Sequence, residues 1–203
     1  MPRPVALSPH DPLWAVRAEA LIADLRAAAP GAFLALHHIG STAVPGLAAK
    51  PVIDLLGEAE GLAAIDAARP GLEALGWRWR GENGAAGRRY FTMDDRETGA
   101  RAAHLHGHAA GDPMIPWHLA FRDRLRAEPE TAAAYGREKA RCAALHPGDS
   151  GAYAACKKAW TDGVAGEAVG RGGGFAHIRR CYAHERTLRL LSFLHLIGFS
   201  CSF

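Results

Sequence analysis

The chain has 203 residues, 49% of them hydrophobic and 22% charged, with a formal net charge of +3. This composition is typical of a globular protein with a hydrophobic core, and so small a charge gives no strong indication of nucleic-acid binding. The most apolar stretch, residues 190–203, is shorter than the roughly 20 residues that span a bilayer, so no membrane partner is expected.

The cysteines and the N-terminal residues bear on cellular location. Four cysteines are present, Cys142, Cys156, Cys181 and Cys201, and they form no CxxC pair. They are too few and too scattered for a disulfide framework, so we expect reduced thiols. The N-terminal residues lack the apolar core of a signal peptide. These features together predict a cytoplasmic protein.

The first half of the chain predicts two helices, two strands and a short helix. Apolar residues recur near a 3.6-residue period over residues 10–29, which indicates a helix. The apolar run 33–39 predicts a strand, and a Gly-Ser-Thr break then begins a short helix that ends near Gly46. A second, buried strand is expected at 51–56, followed by a helix at 61–75.

The second half predicts three strands and then three helices. The strands are expected at 77–80, 89–93 and 102–108, and the helices at 117–127, 130–145 and 150–161. This order of elements predicts an α/β (α+β) domain, in which helices flank a mixed sheet.

The composition changes near Gly163. Residues 164–174 are rich in glycine, which is typical of a linker. We therefore expect a domain at 1–163, a linker at 164–174 and an atypical C-terminal tail at 175–203.

The segment HIGSTAVPGLAAKPVID, residues 38–54, is the most informative for function. Gly40 permits close approach of a phosphate to the backbone, and Ser41 and the amides that follow can donate hydrogen bonds to it. Asp54, on the next strand, could hold a divalent cation that bridges the phosphates. The same pattern also fits a glycine turn and a helix cap beside a buried, hydrogen-bonded aspartate.

This segment resembles the signature of the GrpB family, a branch of the nucleotidyltransferase superfamily. The similarity spans residues 3–163 and continues through LEALGWRWRGENGAAGRRYF, AHLHGH, HLAFRDRLRAEPETAAAY and ACKK. It implies the nucleotidyltransferase fold, with a C-terminal helical segment. It also implies that Gly40 and Ser41 form the family's glycine-serine signature and that Asp54 is its first metal carboxylate, for Mg²⁺ or Mn²⁺. Relatives are sometimes fused to dephospho-coenzyme A kinase.

One position departs from the pattern of active nucleotidyltransferases. Those enzymes place two carboxylates two residues apart on a strand, so that both face the same side. Here the second position is Leu56, and Glu58 would share the face of Asp54 only if the strand continued past Gly57. One carboxylate with water molecules holds Mg²⁺ weakly. We therefore expect two-metal nucleotidyl transfer to be impaired.

Three histidines alternate along the strand at 102–108. His104, His106 and His108 would project from one face, and three imidazoles can bind Zn²⁺. Alternatively, His104 and His106 act in the pocket as phosphate ligands or acid–base groups, with His108 at the end of the strand.

Further candidate phosphate ligands are Thr42, Lys50, Arg89 and Arg122. Arginine can bind a phosphate through two parallel hydrogen bonds. Lys139, Lys157 and Lys158 are expected to be ordinary charges on helix surfaces.

Three functional hypotheses follow. The leading one is a nucleotidyltransferase-like domain that binds a nucleotide or another phosphorylated small molecule, with or without metal-dependent transferase activity. In it Asp54, His104 and His106 are the catalytic candidates. The first alternative is a non-catalytic nucleotide-binding or regulatory module, which Leu56 favours. The second is a zinc-dependent hydrolase centred on His104, His106 and His108.

Overall fold

The computed structural model describes residues 5–170. Along this part of the chain the elements are α1 (Leu13–Ala28), β1 (Ala35–Ile39), a 3-10 helix (Ser41–Ala43), β2 (Ile53–Ala59), α2 (Leu62–Ala74), β3 (Arg78–Trp79), β4 (Arg89–Asp94), β5 (Arg101–Ala109), α3 (Met114–Ala127), α4 (Pro129–Leu145) and α5 (Ser150–Gly170). The predicted fold class is confirmed, because helices flank a mixed five-stranded sheet.

The sheet has the strand order β1-β2-β5-β4-β3. β2 and β5 are parallel, whereas the other neighbours are antiparallel. In the parallel pair Asp54 lies beside His104, and Leu56 lies beside His106. Because side chains alternate between the faces of a strand, all four project from the same face of the sheet.

The opposite face carries the main hydrophobic core. Leu55, Phe91 and Leu105 are fully buried there, against Trp14 of α1 and Ile65 of α2. This continuous apolar surface fixes the register of the strands, since a slip by one residue would exchange the two faces.

Helix α3 covers part of the face that bears Asp54. Ile115 and Leu119 of α3 pack on Ile39 and Leu56 in a small apolar cluster. The rest of α3 packs with α4, α5 and the segment after the 3-10 helix, through Phe121 and other buried residues. Asp54 itself is left partly exposed, at the border between the sheet and this helical layer.

Helix α5 is longer than predicted. It continues to Gly170, so residues 164–170 belong to the helix and not to a linker. Ala165 is fully buried, and Arg124 of α3 donates hydrogen bonds to the Val164 carbonyl at 2.9 Å and to Glu167 at 3.0 Å. These contacts compensate for the low helix propensity of the glycines. The remaining linker residues, 171–174, and the tail at 175–203 lie outside the described residues.

Cys142 of α4 and Cys156 of α5 form a disulfide. The prediction of reduced thiols is therefore wrong at these two positions. The two helices are consecutive and packed together, so their cysteines meet although they are 14 residues apart in sequence. Cys181 and Cys201 lie outside the described residues. In the described part of the chain, no helix combines the length and apolar character that crossing a membrane requires.

Lys139 of α4 is buried, although the sequence predicted a charge on the helix surface. Its side chain is fully buried, and its ammonium donates a hydrogen bond to the Ala48 carbonyl and lies 4.9 Å from the ring centroid of Tyr135. Burial lowers the pKa of Lys139 to about 7, since its charged form loses its hydration.

The depressed pKa of Lys139 predicts that stability depends on pH. Lysine in the unfolded chain has a pKa of about 10.4. From about pH 7 upward the unfolded chain therefore retains a proton that the folded chain has released, and the free energy of unfolding should rise by up to about 1.4 kcal/mol per pH unit. Urea unfolding at pH 7, 8 and 9 measures this slope. Lys139→Met should remove it, and an equal slope in both proteins would contradict the prediction.

Candidate functional site

Asp54 and His104 form the centre of the site. Nδ1 of His104 lies 2.9 Å from Oδ1 of Asp54, within hydrogen-bond distance. Nε2 of His106 lies 3.8 Å from the same oxygen. The parallel register of β2 and β5 creates this arrangement, because it places the aspartate next to one histidine and diagonal to the other.

The two histidines control the charge of Asp54. Burial by itself would raise the pKa of its carboxyl group, but the hydrogen bond from His104 and the nearby His106 ring outweigh burial and hold the pKa well below the usual range. Burial lowers the pKa of His106, although Asp54 opposes this effect. The centre of the site at neutral pH is therefore a carboxylate held by imidazole groups.

The Gly40 turn lies directly against this carboxylate. Gly40 has φ 71° and ψ −166°, a conformation almost restricted to glycine. A Cβ atom at Gly40 would lie 2.6 Å from Oδ2 of Asp54. Glycine is therefore required here both for the backbone conformation and for the space that Asp54 occupies. Ser41 follows immediately and begins the 3-10 helix.

A cleft of about 240 Å³ opens beside these residues. One wall is formed by Gly40, Ser41, Asp54 and His106, and the opposite wall comes from α3 and α5. The structure thus brings four of the predicted residues to one cavity, and their roles in ligand binding remain predictions. A larger groove of about 850 Å³, along β3 and β4, contains none of the predicted site residues.

Lys157 of α5 contributes a positive charge to the cleft. Its ammonium lies 3.4 Å from the Tyr135 hydroxyl and 5.0 Å from the ring centroid of Tyr153. Burial lowers the pKa of Lys157, but the two tyrosines and Asp54 outweigh burial and raise the pKa above its ordinary value. Lys157 was predicted as a surface charge. The signal that could have identified it is its place in the family-like ACKK block.

Lys50 lies close to Lys157. Its ammonium is 5.2 Å from the same Tyr153 ring, and burial is the main cause that lowers its pKa. Asp54 acts on Lys50 in the opposite direction, which indicates that both lysines lie within electrostatic range of the carboxylate. The two ammonium groups near Tyr153 give the region beside the cleft a positive potential.

Two of the other predicted phosphate ligands, Thr42 and Arg122, have partners within the protein. Thr42 is buried, and its hydroxyl lies 2.9 Å from Nε2 of His38 and donates to the Val52 carbonyl. Arg122 donates to the His38 carbonyl and forms an ion pair with Asp123. Neither residue lines the cleft.

Arg89, which was also expected to bind phosphate, lies on the other face of the sheet. Arg89 lies beside Gly107 on the face that packs against α2, and its guanidinium binds Asp66 at 2.6 Å. Arg88 is the arginine near the site, because its Nη1 lies 3.5 Å from Nδ1 of His106 and its guanidinium packs over Tyr90 at 4.7 Å. A shift of one residue along the chain exchanges the two faces of the strand.

His108 does not join the other two histidines. It is buried beneath α3, and its Nδ1 lies 2.8 Å from Oδ2 of Asp112. The proposed hydrolase centre of three imidazoles is therefore not formed by the described residues, and the group near Asp54 contains only His104 and His106.

Leu56 stands at the position where active nucleotidyltransferases have their second carboxylate, and it is inaccessible. Leu56 is fully buried under Ile115 of α3. Glu58 does share the face of Asp54, because β2 continues to Ala59 and does not end at Gly57 as the sequence suggested. Four residues along a strand is about 13 Å, however, so Glu58 is too distant to share a cation with Asp54.

Comparison with known structures supports this fold. A family model described as GrpB protein matches residues 4–166. The crystal structure of conserved protein GrpB from Enterococcus faecalis has a TM-score of 0.76 and 32% identity, covering 83% of this chain and 100% of that one. A structure of Cid1 poly(U) polymerase with Mg 3'-dATP bound has a TM-score of 0.51, covering 74% of this chain and 49% of that one. At 11% identity, this second match shows the fold alone.

Curated relatives share similar identity over part of their length. A UPF0157 protein of Bacillus subtilis, YqkA, is 42% identical over 63% of this chain and 36% of its own length. A UPF0157 protein of Pseudomonas aeruginosa is 37% identical over 73% of this chain and 61% of its own length. A dephospho-CoA kinase of Mycolicibacterium paratuberculosis is 32% identical over 77% of this chain and 44% of its own length. This chain therefore spans less than two thirds of each of these relatives.

The contact between Gly40 and Asp54 predicts a specific defect. Gly40→Ala and Gly46→Ala both place a Cβ atom at positive φ, which costs on the order of 1–3 kcal/mol each. Only the first would collide with Asp54, since no atom lies within 4 Å of a Cβ at Gly46. We expect Gly40→Ala to lower the free energy of unfolding by about 2 kcal/mol more than Gly46→Ala. Chemical denaturation measures both, and equal losses would show that the Asp54 contact is not tight.

Proposed function

The chain belongs to the GrpB family, and from its nucleotidyltransferase-like fold and its cleft we propose that it binds the phosphate groups of a nucleotide or another phosphorylated small molecule. The ligand would lie between the Gly40–Ser41 turn and α5. In this position its phosphates would be close to the Ser41 hydroxyl and the Lys157 ammonium.

The observation that carries the proposal is the charged Lys157 in a cleft with Ser41 and Asp54. A partly buried lysine loses hydration that a bound anion can replace. Within the described residues, Lys157 has tyrosine neighbours and the more distant Asp54, and Lys50 adds a second positive charge to the same region. A phosphate group would compensate both lysines, and Ser41 would supply a neutral hydrogen bond.

The shape of the site favours binding over nucleotidyl transfer. Transfer through two cations needs a second carboxylate beside Asp54, and Leu56 occupies that position beneath α3. The proposal is therefore a phosphate-binding module, in which Asp54 and His104 fix the geometry of the turn. The Mg²⁺ that the fold family implies fits poorly, because the groups around Asp54 offer one carboxylate and two imidazole nitrogens, whereas Mg²⁺ prefers oxygen ligands.

The names of some relatives guide the choice of ligands. Three relatives, each matched over 77% of this chain, are named dephospho-CoA kinase. ATP, dephospho-coenzyme A and coenzyme A are therefore suitable first probes, with adenosine as a control that shares the base and lacks phosphate.

A thermal-shift experiment on the full chain tests the proposal. A ligand at 100 times its dissociation constant stabilises a protein by about 2.7 kcal/mol. We expect at least one phosphorylated probe, and not adenosine, to raise the melting temperature. Lys157→Met should lose this rise, whereas the matched variant Arg89→Met should keep it, because Arg89 lies on the other face of the sheet.

Two outcomes would contradict the proposal. One is a shift with adenosine as large as that with the phosphorylated probes. The other is a ligand-induced shift that Lys157→Met leaves unchanged. Each variant is compared with its own ligand-free state, so a change in basal stability does not affect the result.

A further inference from the structure

We propose that Asp54, His104 and His106 form a binding site for one divalent transition-metal ion of the Zn²⁺ class, and that this site discriminates against Mg²⁺. The three side chains offer Oδ1 or Oδ2 of Asp54, Nδ1 or Nε2 of His104, and Nδ1 or Nε2 of His106. Such ligand atoms, one from each residue, all lie within 4.8 Å of one another.

The chemistry of these donors selects the metal. Imidazole nitrogen is a good ligand for Zn²⁺, Co²⁺, Ni²⁺ and Fe²⁺, whereas Mg²⁺ requires a nearly complete shell of oxygens. Two imidazoles and one carboxylate also leave one position of a tetrahedral ion open. That is the ligand count of catalytic zinc sites, in which water or a substrate group takes the fourth position.

The fold holds the donors in place before any ion arrives. His104 and His106 project from the same face of β5, and Asp54 projects from the adjacent position of β2. The ring of Tyr90 packs against both histidines, with centroid distances of 5.6 and 5.1 Å. Bonds of about 2.1 Å in a tetrahedron separate ligand atoms by about 3.4 Å, so modest side-chain rotations would complete the site.

Arg88 opposes the ion and sets its affinity. Its Nη1 lies 3.5 Å from Nδ1 of His106. When Nε2 of a neutral imidazole binds a metal, Nδ1 must carry the proton and cannot accept a hydrogen bond from Arg88. Arg88 also brings a positive charge toward the ion. The guanidinium has alternative acceptors in the carbonyls of Glu82 and Asn83, to which it already donates.

Two other groups with ligand potential are already used. His108 is bonded to Asp112, as described above. The second described cluster, Glu138 with Cys142 and Cys156, contains the disulfide, whose sulfurs lack the thiolate charge that binds metals. This inference does not depend on the phosphorylated ligand, because the metal ion can bind alone.

Cobalt titration of the full chain tests the site directly. The protein is treated with chelator, freed of it, and titrated with Co²⁺, whose visible absorption reports tetrahedral nitrogen and oxygen ligands. We expect one Co²⁺ to bind with this signature, to be displaced by Zn²⁺, and to remain bound in a large molar excess of Mg²⁺.

Histidine variants locate the ion. His104→Gln and His106→Gln should each weaken Co²⁺ binding by about 100-fold or more, since even the partners of metal ligands are worth 10–100-fold. His146→Gln is the matched control and should bind like the parent, because His146 lies at the end of α4 and belongs neither to the Asp54 group nor to the cleft lining. Histidines at 177, 184 and 195 are present in every protein compared, so they cannot cause a difference between variants.

Arg88→Gln provides a test that loss of folding cannot imitate, because it should bind Co²⁺ several-fold more tightly than the parent. The inference is overturned if Mg²⁺ displaces Co²⁺, if both site-histidine variants bind like the parent, or if Arg88→Gln brings no gain in affinity.

Discussion

The hydrogen bond between Asp54 and His104 is the constraint on which the cleft depends. A partly buried carboxylate keeps its charge when it is hydrogen-bonded or paired. Because β2 and β5 pair in parallel, His104 is the direct neighbour of Asp54 and lies within reach of its short side chain. Gly40 then approaches Asp54 closely, and Ser41 is delivered to the edge of the cleft. A change in register by one residue would remove all three features together.

Much of this centre could be predicted from the sequence. The Gly-Ser turn, the aspartate on the next strand and the alternating histidines are local patterns, and periodicity places each on its element. The family resemblance then indicates that the elements are neighbours. Periodicity does not show which face of the sheet each side chain occupies. Arg88 and Arg89 are adjacent and chemically identical, yet only Arg88 lies near His106, because Arg89 points toward α2.

The helical layer was harder to predict, for a related reason. The composition of α4 and α5 indicates helices but not which lysines they bury. Lys139 is fully buried, and Lys157 is partly buried in the wall of the cleft. Contacts between helices also bring Cys142 and Cys156 together in a disulfide. They extend α5 too, because Arg124 donates a hydrogen bond to its C-terminal part despite the glycines there. Such contacts join positions distant in sequence, so no local pattern records them. Local sequence patterns therefore predict the wall of the cleft formed by the sheet, whereas the wall formed by the helices depends on tertiary contacts.

The central claim is that a phosphorylated ligand binds between the Gly40–Ser41 turn and α5. The most direct measurement is a ¹H–¹⁵N NMR titration of the full chain with ATP and with dephospho-coenzyme A, using adenosine as the control. The account predicts that a phosphorylated ligand shifts the amide signals of Gly40, Ser41 and Lys157 in a saturable way, while those near Trp77 and Arg96 in the larger groove stay in place. Shifts confined to that groove, or none at saturating concentrations, would contradict it.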